Sequence, residues 1–214
     1  MPQGLLLDIG VVLLKSAWEI ADEFERLNDL PSRTVPGRGP FDGGEDPRWQ
    51  RHLAGELTER DYWLGNADEA VRNGAPLHGH PHLMRAMFQQ PGIDPARQVG
   101  VELARRAQAA GVRTAIFTNE LMDFQGRAWV EAQEWFPLFD VVWDATEQGV
   151  RKPDPEAYRL VIEAVGLPAP DLVFVDDNPA YVEGAVAAGM RGVTLDVLRP
   201  DDAFAEAAKL LGLD

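Results

Sequence analysis

Apolar and polar positions divide the chain into two patterns. Residues 4–9 (GLLLDI) form an almost continuous apolar run, which is typical of a strand buried on both faces of a sheet. From residue 97 onward, short apolar runs alternate with helical patterns. The predicted strands are 112–118, 139–143, 171–175 and 192–195, and the predicted helices are 97–110, 122–135, 155–166, 179–188 and 201–211. This alternation predicts βαβ units and a parallel sheet.

Residues 16–90 interrupt the alternation. No strand pattern is evident there, and the helical patches are 17–27, 47–53, 58–66 and 81–88. A loop rich in glycine and proline, residues 36–44 (PGRGPFDGG), separates the first two patches. We therefore expect an α/β fold with a Rossmann-like parallel sheet core, formed by residues 1–15 plus 91–214. Residues 16–90 are expected to form an inserted helical cap subdomain.

Composition limits the classes of function. The 214 residues are 45% hydrophobic and 26% charged, as expected of a folded soluble protein. The net charge of −15 repels nucleic-acid backbones and anionic lipids, so neither nucleic acid nor a membrane is an expected partner. Without cysteine, the chain has no disulfide or cysteine nucleophile. The apolar stretch at residues 4–14 is too short to cross a bilayer and no basic segment precedes it, which predicts a cytoplasmic protein.

Polar residues follow the predicted strands at their carboxyl ends, where open parallel sheets bind ligands. Asp8 ends the first strand, Thr118–Asn119 the second and Asp176–Asn178 the fourth, while Lys152 lies in the loop after the third. Taken singly, each could be a turn former, a helix cap or a solvated side chain. Adjacent ionised carboxylates repel each other, so the acidic pair indicates a hard divalent cation such as Mg²⁺. Together these groups suit phosphoryl transfer to a carboxylate nucleophile.

At these positions the chain resembles the haloacid dehalogenase (HAD) superfamily of hydrolases, over nearly its whole length. Asp8–Leu13 (DIGVVL) is similar to the first motif, whose Asp is the nucleophile. Phe117–Asn119 (FTN) is similar to the second, whose hydroxyl and following amide hold the transferred group. Gly149–Pro155 (GVRKPDP) is similar to the third, whose Lys pairs with nucleophile and substrate. Phe174–Asn178 (FVDDN) is similar to the fourth, the acidic metal site.

The resemblance implies a function and a set of site residues. It implies a Mg²⁺-dependent phosphatase with a C1-type helical cap, which acts on a small phosphorylated metabolite through an aspartyl-phosphate intermediate. Asp8 and Lys152 would be catalytic. The implied substrate-binding residues are Thr118, Asn119 and Gly10, and the implied metal ligands are Asp8, Gly10 through its carbonyl, Asp176 and Asp177.

Gly10 departs from the pattern of the family's phosphatases, which carry a second Asp at this place as general acid and base. The backbone carbonyl survives the change, but the proton donor does not, and general acid catalysis is worth ~10²–10⁴-fold. An Asp at this position could also clash in a loop that uses the backbone freedom of glycine. Certain sugar-phosphatase-like relatives nevertheless carry Gly there.

Alternatives to a phosphatase therefore stay open. One is a catalytically weak or silent relative that binds a phosphorylated ligand or a protein partner. Another is a hydrolase similar to the 2-haloacid dehalogenases, which use no metal, so the pair Asp176–Asp177 argues against it. Phosphonoacetaldehyde hydrolase, a relative with a small residue at the place of Gly10, needs a Schiff-base lysine in its cap. Here only Lys15, at the entrance of the cap, could serve.

A histidine-rich segment and four other side chains of the insertion have simpler structural interpretations. An extended chain would place His78, His80 and His82 on one side, where they could bind a transition metal, but a solvated linker is the expectation. Arg38 is expected to be solvated in its loop rather than bound to a substrate. Three tryptophans are expected to form the core of the small helical subdomain rather than a substrate pocket: Trp18, Trp49 and Trp63.

Overall fold

Five apolar segments pair into one parallel sheet. The structure is a computed structural model, and it describes residues 3–76 and 83–213. The strands are β1 (Gly4–Leu7), β2 (Arg113–Thr118), β3 (Val141–Asp144), β4 (Leu172–Asp176) and β5 (Arg191–Thr194). Their order across the sheet is β3-β2-β1-β4-β5, and all neighbours are parallel. Every residue of the central strands β1 and β4 is buried, which explains their unbroken apolar runs and confirms the predicted Rossmann-like α/β fold.

Helices accompany these strands along the described chain. They are α1 (Ala17–Leu27), α2 (Pro47–Leu53), α3 (Glu59–Arg72), α4 (Leu83–Phe88), α5 (Gln98–Ala109), α6 (Leu121–Gln125), α7 (Arg127–Glu131), α8 (Ala145–Gln148), α9 (Pro155–Val165), α10 (Pro179–Ala187) and α11 (Pro200–Leu211). Within residues 3–76 and 83–213, none of the helices has both the length and the apolar character needed to span a bilayer.

The chain divides into two compact units, Met1–Lys15 with Ala96–Asp214, and Ser16–Pro95. In the first unit, α5 and α11 pack on each other and on β2 and β4, while α9 and α10 pack on each other and on the strands β2 to β5. Alternate strand residues share one hydrophobic cluster with α9 and α10 because successive side chains of a strand point to opposite faces. The sequence had suggested a boundary at residue 90 rather than 95.

One predicted helix of the α/β unit is broken. The pattern predicted a single helix over 122–135, but the chain forms α6 and α7 on either side of Gly126, followed by a single turn at Phe136–Leu138. Gly126 has φ 82 and ψ 138, a conformation that glycine adopts readily and that cannot continue a helix. The apolar periodicity therefore continued across a backbone break.

The Ser16–Pro95 unit contains α1 to α4, and its described residues form no strand. The first helix begins with a capping box in which the Ser16 hydroxyl accepts from the Glu19 N–H and the Glu19 carboxylate accepts from the Ser16 N–H. Helix α1 packs against α4, and α3 packs against α2 and α4. The predicted histidine segment, with His78, His80 and His82, lies outside the described residues.

An aromatic cluster stabilises this helical unit. The rings of Trp18, Trp49 and Trp63 contact the buried Tyr62, with centroids 4.9–6.1 Å from its ring. The Tyr62 hydroxyl accepts from Trp18 Nε1 at 2.9 Å and donates to the Asp46 carboxylate at 2.7 Å. The three tryptophans thus take part in the internal packing of the unit, as expected from the sequence.

Arg38 is buried, and the expectation of a solvated loop arginine was wrong. Its guanidinium donates to Asp22 Oδ1 at 2.6 Å, to the Glu25 carboxylate at 3.3 Å and to the carbonyls of Val35 and Gly37 at 2.7 Å. The glycine-rich loop turns back towards α1, where these two carboxylates balance the buried charge. Arg38 therefore stabilises the loop.

Candidate active site

The register of the sheet brings the predicted site residues to one edge. Leu7 is paired with Ile116 on one side and with Val175 on the other. Asp8, the next residue, therefore stands level with the carboxyl ends of β2 and β4, where Thr118 and Asp176 lie. The alignment of parallel strands explains why residues far apart in the sequence meet here.

Lys152 joins two of the carboxylates at this edge. Its Nζ lies 2.8 Å from Asp8 Oδ1, 2.6 Å from Asp176 Oδ2 and 2.9 Å from the Phe117 carbonyl oxygen. The side chain of this lysine is 1% exposed, so all three donors of the ammonium are used within the protein. Three aromatic rings surround the ammonium with centroids 5.0–5.2 Å away: Phe117, Phe174 and Tyr181.

Burial and charge set the protonation of this group of residues. Burial by itself disfavours the Lys152 ammonium, but the charges of Asp8 and Asp176 outweigh burial and raise the pKa of Lys152 above its usual value. The lysine therefore stays protonated at neutral pH. Burial, together with the nearby Asp8 charge, outweighs the opposing effect of Lys152 and raises the pKa of Asp176 to about 7. The site thus holds more negative charge than one lysine balances.

Asp8, Asp176 and Asp177 form the acidic cluster that the sequence predicted. Each offers one carboxylate oxygen, and these oxygens lie within 4.8 Å of one another. Asp176 is fully buried, and its oxygens accept from Lys152 Nζ and from the Asn178 N–H at 2.9 Å. By formal count three ionised carboxylates beside one lysine carry a net charge of −2, and protonation of Asp176, whose pKa is raised, would still leave −1. The donor set therefore fits a divalent cation with a preference for oxygen.

Asn119 contacts the backbone of Lys152. Its Oδ1 accepts from the Lys152 N–H at 2.9 Å, and its Nδ2 donates to the Lys152 carbonyl at 3.1 Å. The structure thus shows its side-chain amide bound to the lysine loop, and the substrate-binding role implied by the resemblance stays a prediction. Thr118, the last residue of β2, is 4% exposed at the same edge.

Asp144 shows that position at this edge does not by itself make a site residue. It ends β3 and is fully buried. Its Oδ1 accepts from the backbone and hydroxyl of Thr146, and its Oδ2 accepts from the Met122 N–H at 2.9 Å. This carboxylate caps α8 and joins it to α6, which is the structural role that an Asp after a strand often takes.

The chain after Asp8 forms one wide turn, Ile9–Leu13, closed by the Leu14 N–H, which donates to the Ile9 carbonyl at 2.8 Å. Gly10 is exposed and has φ −60, which any residue can adopt, and an added Cβ would contact only Asp8 Oδ2, at 3.8 Å. The suggestion that the loop needs glycine at this position was wrong. Val11 has φ 61 instead, a left-handed conformation that costs an L-residue roughly 1–2 kcal/mol.

Arg97 contacts this turn, although the apolar pattern predicted only that it begins a helix. It precedes α5 and is 5% exposed, and its guanidinium donates to the Val11 carbonyl. No periodicity or motif in the sequence indicates such a contact, since the two residues are 86 positions apart.

Comparison with known proteins identifies similar sequences and folds. The family model of the haloacid dehalogenase-like hydrolases matches residues 12–189, a range that includes Thr118, Lys152 and the pair Asp176–Asp177 but begins after Asp8. Phosphatase MT3486 of Mycobacterium tuberculosis is 34% identical over 202 residues, which cover 90% of this chain and 87% of that protein.

The chain is also similar in sequence to part of a longer protein and in fold to a solved structure. Acyl-CoA dehydrogenase family member 10 of Mus musculus is 25% identical over 213 residues, 98% of this chain, and this chain spans about a fifth (19%) of that protein's length. The magnesium-bound crystal structure of the HAD-hydrolase YfnB from Bacillus subtilis superposes with a TM-score of 0.66 over 98% of both chains, at 15% identity. At that identity the likeness concerns the fold.

Proposed function

This chain belongs to the haloacid dehalogenase-like hydrolases, and from that membership we propose that it is a Mg²⁺-dependent phosphatase acting in the cytoplasm on a small phosphorylated metabolite. The observation that carries the proposal is the buried Lys152 ammonium, bonded at once to Asp8 and to Asp176. This arrangement suits a carboxylate that must accept a dianionic phosphoryl group. The M. tuberculosis relative, which bears the name phosphatase, favours a phosphate ester as substrate.

In the proposed reaction Asp8 is the nucleophile. Its Oδ1 is held by Lys152, and Oδ2 attacks phosphorus in line as the bond from phosphorus to the leaving oxygen breaks. Lys152 offsets charge on the phosphoryl group, and the Thr118 hydroxyl at the same edge binds one of its oxygens. Water then attacks phosphorus, which releases inorganic phosphate and regenerates the Asp8 carboxylate.

The proposed cation would be held by Asp8, Asp177, Asp176 and the Gly10 carbonyl. When bound, it would supply positive charge to the equatorial oxygens of the phosphoryl group. The acidic cluster supports this assignment because its oxygens are within 4.8 Å of one another and its charge exceeds that of Lys152. Mg²⁺ prefers such oxygen ligands.

In the proposed reaction no carboxylic acid at position 10 protonates the leaving oxygen, because that residue is glycine. Each carboxylate of the acidic cluster already has a proposed or observed role: Asp8 as the nucleophile, Asp176 as a partner of Lys152 and Asp177 as a metal ligand. The leaving oxygen would therefore take its proton from water or from the substrate itself. We expect substrates whose leaving groups are weak bases to react fastest.

We further propose that the Ser16–Pro95 unit is the cap that selects substrate. It is inserted between Lys15 and Ala96, soon after the turn that follows Asp8. Hydrogen exchange of the whole protein, with and without Mg²⁺ and beryllium fluoride as a phosphoryl mimic, tests this role. Slower exchange within residues 16–95 is expected, and unchanged exchange there would contradict it.

The deciding experiment is a panel of phosphate esters and 2-haloacids, each assayed with and without Mg²⁺. We expect phosphate release that needs Mg²⁺ and that is lost in Asp8→Asn. Asp144→Asn is the matched control, because it changes a buried carboxylate at the same edge that caps a helix. Halide release without metal would instead assign the dehalogenase reaction. Binding of phosphorylated ligands without any turnover would assign the silent alternative.

A further inference from the structure

Arg97 binds the turn after Asp8 at two points. Its Nε and Nη2 donate to the Val11 carbonyl at 3.0 and 2.8 Å, and its backbone N–H donates to the Leu13 carbonyl at 2.8 Å. Hydrogen bonds from a charged donor are stronger than neutral ones, and this guanidinium is almost fully buried. Arg97 therefore connects the start of α5 firmly to the segment that carries the nucleophile.

Val11 is held in a conformation that valine disfavours. The dihedrals of Gly10 (φ −60, ψ 133) and Val11 (φ 61, ψ −25) are close to those of a type II turn, in which the residue at the place of Val11 is usually glycine. The described non-glycine residues with positive φ are Val11, Asp29 and Arg33, and Val11 alone among them is β-branched. Such strain persists only where surrounding contacts impose it.

We propose that Arg97 is a positioning residue for the reaction at Asp8. By holding the Val11 carbonyl it keeps the turn in its strained form. The peptide plane between Gly10 and Val11 rotates with ψ of the first residue and φ of the second, so relaxation of Val11 to negative φ would redirect the Gly10 carbonyl. That carbonyl lies two residues from the nucleophile. The effect on turnover rests on the proposed function, whereas the effect on the turn does not.

A double-mutant cycle tests the proposal, with Arg97→Met, Val11→Gly and the combination. Glycine adopts positive φ without strain, so the turn should no longer need Arg97 when Val11 is replaced.

Arg97→Lys keeps the charge but loses the planar fork, and partial function is expected from it. Arg191→Met is the matched control, because Arg191 Nε donates to the Pro170 carbonyl at the opposite edge of the sheet. The readouts are kcat, KM, the Mg²⁺-dependent rise in Tm and urea unfolding.

We expect the effects of substitutions at Arg97 and Val11 on kcat to be strongly coupled. Arg97→Met should lower kcat about ten- to a hundredfold, with a smaller change in KM, because it misplaces reacting groups. In the Val11→Gly background the same substitution should lower kcat less than about threefold. Equal losses in both backgrounds, or a folded Arg97→Met protein with full kcat and an unchanged rise in Tm, would overturn the proposal.

The phosphatase proposal and the proposed role of Arg97 can fail independently, and different measurements test them. If the unaltered protein hydrolyses no phosphate ester, the phosphatase proposal fails, and urea unfolding still decides the role of Arg97 at the turn. A larger loss of stability from Arg97→Met in the Val11→Gly background supports that role, because with Val11 present the relief of backbone strain offsets part of the lost hydrogen-bond energy. Equal losses of stability in the two backgrounds refute it.

Discussion

Asn119 holds the backbone of Lys152 with both ends of its side-chain amide, at 2.9 and 3.1 Å. This pair of hydrogen bonds sets the starting point of the lysine side chain, whose ammonium reaches Asp8. Because one amide satisfies one donor and one acceptor of the same residue, a carboxylate cannot replace it.

Substitution of Asn119 should therefore lower turnover by displacing Lys152. We expect Asn119→Ala to reduce kcat about tenfold or more. Asn119→Asp should be at least as harmful, since it places a carboxylate against the Lys152 carbonyl. The loss of unfolding free energy should be about 1–3 kcal/mol. Steady-state kinetics and thermal unfolding measure both effects.

The control for this pair is Asn28→Ala. Asn28 also donates its side-chain amide to a backbone carbonyl, that of Phe24 at 2.8 Å, but it lies in the other unit. It should lower Tm while kcat stays unchanged. If Asn119→Ala and Asn28→Ala affect kcat equally, Asn119 has no special role in placing Lys152.

Gly10→Asp should add the missing proton donor. The φ of −60 is open to any residue, and the only contact of an added Cβ is Asp8 Oδ2 at 3.8 Å, so the variant should fold. Turnover of alkyl phosphates should rise, by at most the ~10²–10⁴-fold usual for general acid catalysis. Nitrophenyl phosphate should gain much less, because nitrophenolate leaves without a proton. Rates for the two ester classes, with Tm for each variant, make the comparison.

Gly10→Asn is the matched control for that substitution. It has nearly the same shape but cannot donate an acidic proton to the leaving oxygen. A rise in alkyl phosphate turnover for both variants would mean that shape or backbone stiffness, and not acidity, is responsible. No gain from a well-folded Gly10→Asp protein would show that a proton donor is not what limits the reaction.

Mg²⁺ should stabilise the protein through Asp177. A ligand that binds only the folded state raises stability by RT ln(1 + [L]/Kd), so Tm should increase with Mg²⁺ concentration and return after chelation. Asp177→Asn should remove most of that increase, since it deletes one charge of the acidic cluster. Asp201→Asn, at an exposed acid in the first turn of α11, should leave the increase intact. An undiminished increase in Asp177→Asn would exclude this residue as a ligand.

Asp46 should make the helical unit sensitive to acid. Burial by itself raises its pKa, but hydrogen bonds from Trp49, Tyr62, Gly39 and Arg48 lower it below the unfolded value of 3.8. The folded state therefore binds this proton less readily than the unfolded chain does. The stabilisation from Asp46 is fully present above pH 3.8 and is lost as pH falls through the lower pKa of the folded state.

Asp46→Asn measures that contribution. The variant should lose about 1–3 kcal/mol of unfolding free energy at neutral pH. The difference from the unaltered protein should stay constant down to about pH 5 and shrink below the unfolded pKa. Urea unfolding followed by circular dichroism at several pH values gives both curves. A difference that grows on acidification would contradict the lowered pKa.

Much of the architecture can be predicted from local pattern. Short apolar runs marked β1, β2 and β4, because strands buried on both faces need apolar side chains on both. Proline in the first turn marked the starts of α9 and α10, where its missing N–H costs nothing. Gly126 is the counterexample, since a backbone with positive φ broke a helix whose apolar pattern continued.

The residues that meet at the sheet edge can be predicted from the sequence, because Asp8, Thr118 and Asp176 each end an apolar run and parallel strands align their carboxyl ends. What those residues contact follows only from the folded chain. The partners of Lys152 include an aspartate 144 positions away. The period of the apolar pattern indicates whether a residue is buried. Its hydrogen bonds depend on which groups from distant parts of the chain lie around it in the folded protein. For the same reason the burial of Arg38 and the hold of Arg97 on Val11 emerged only from the folded chain.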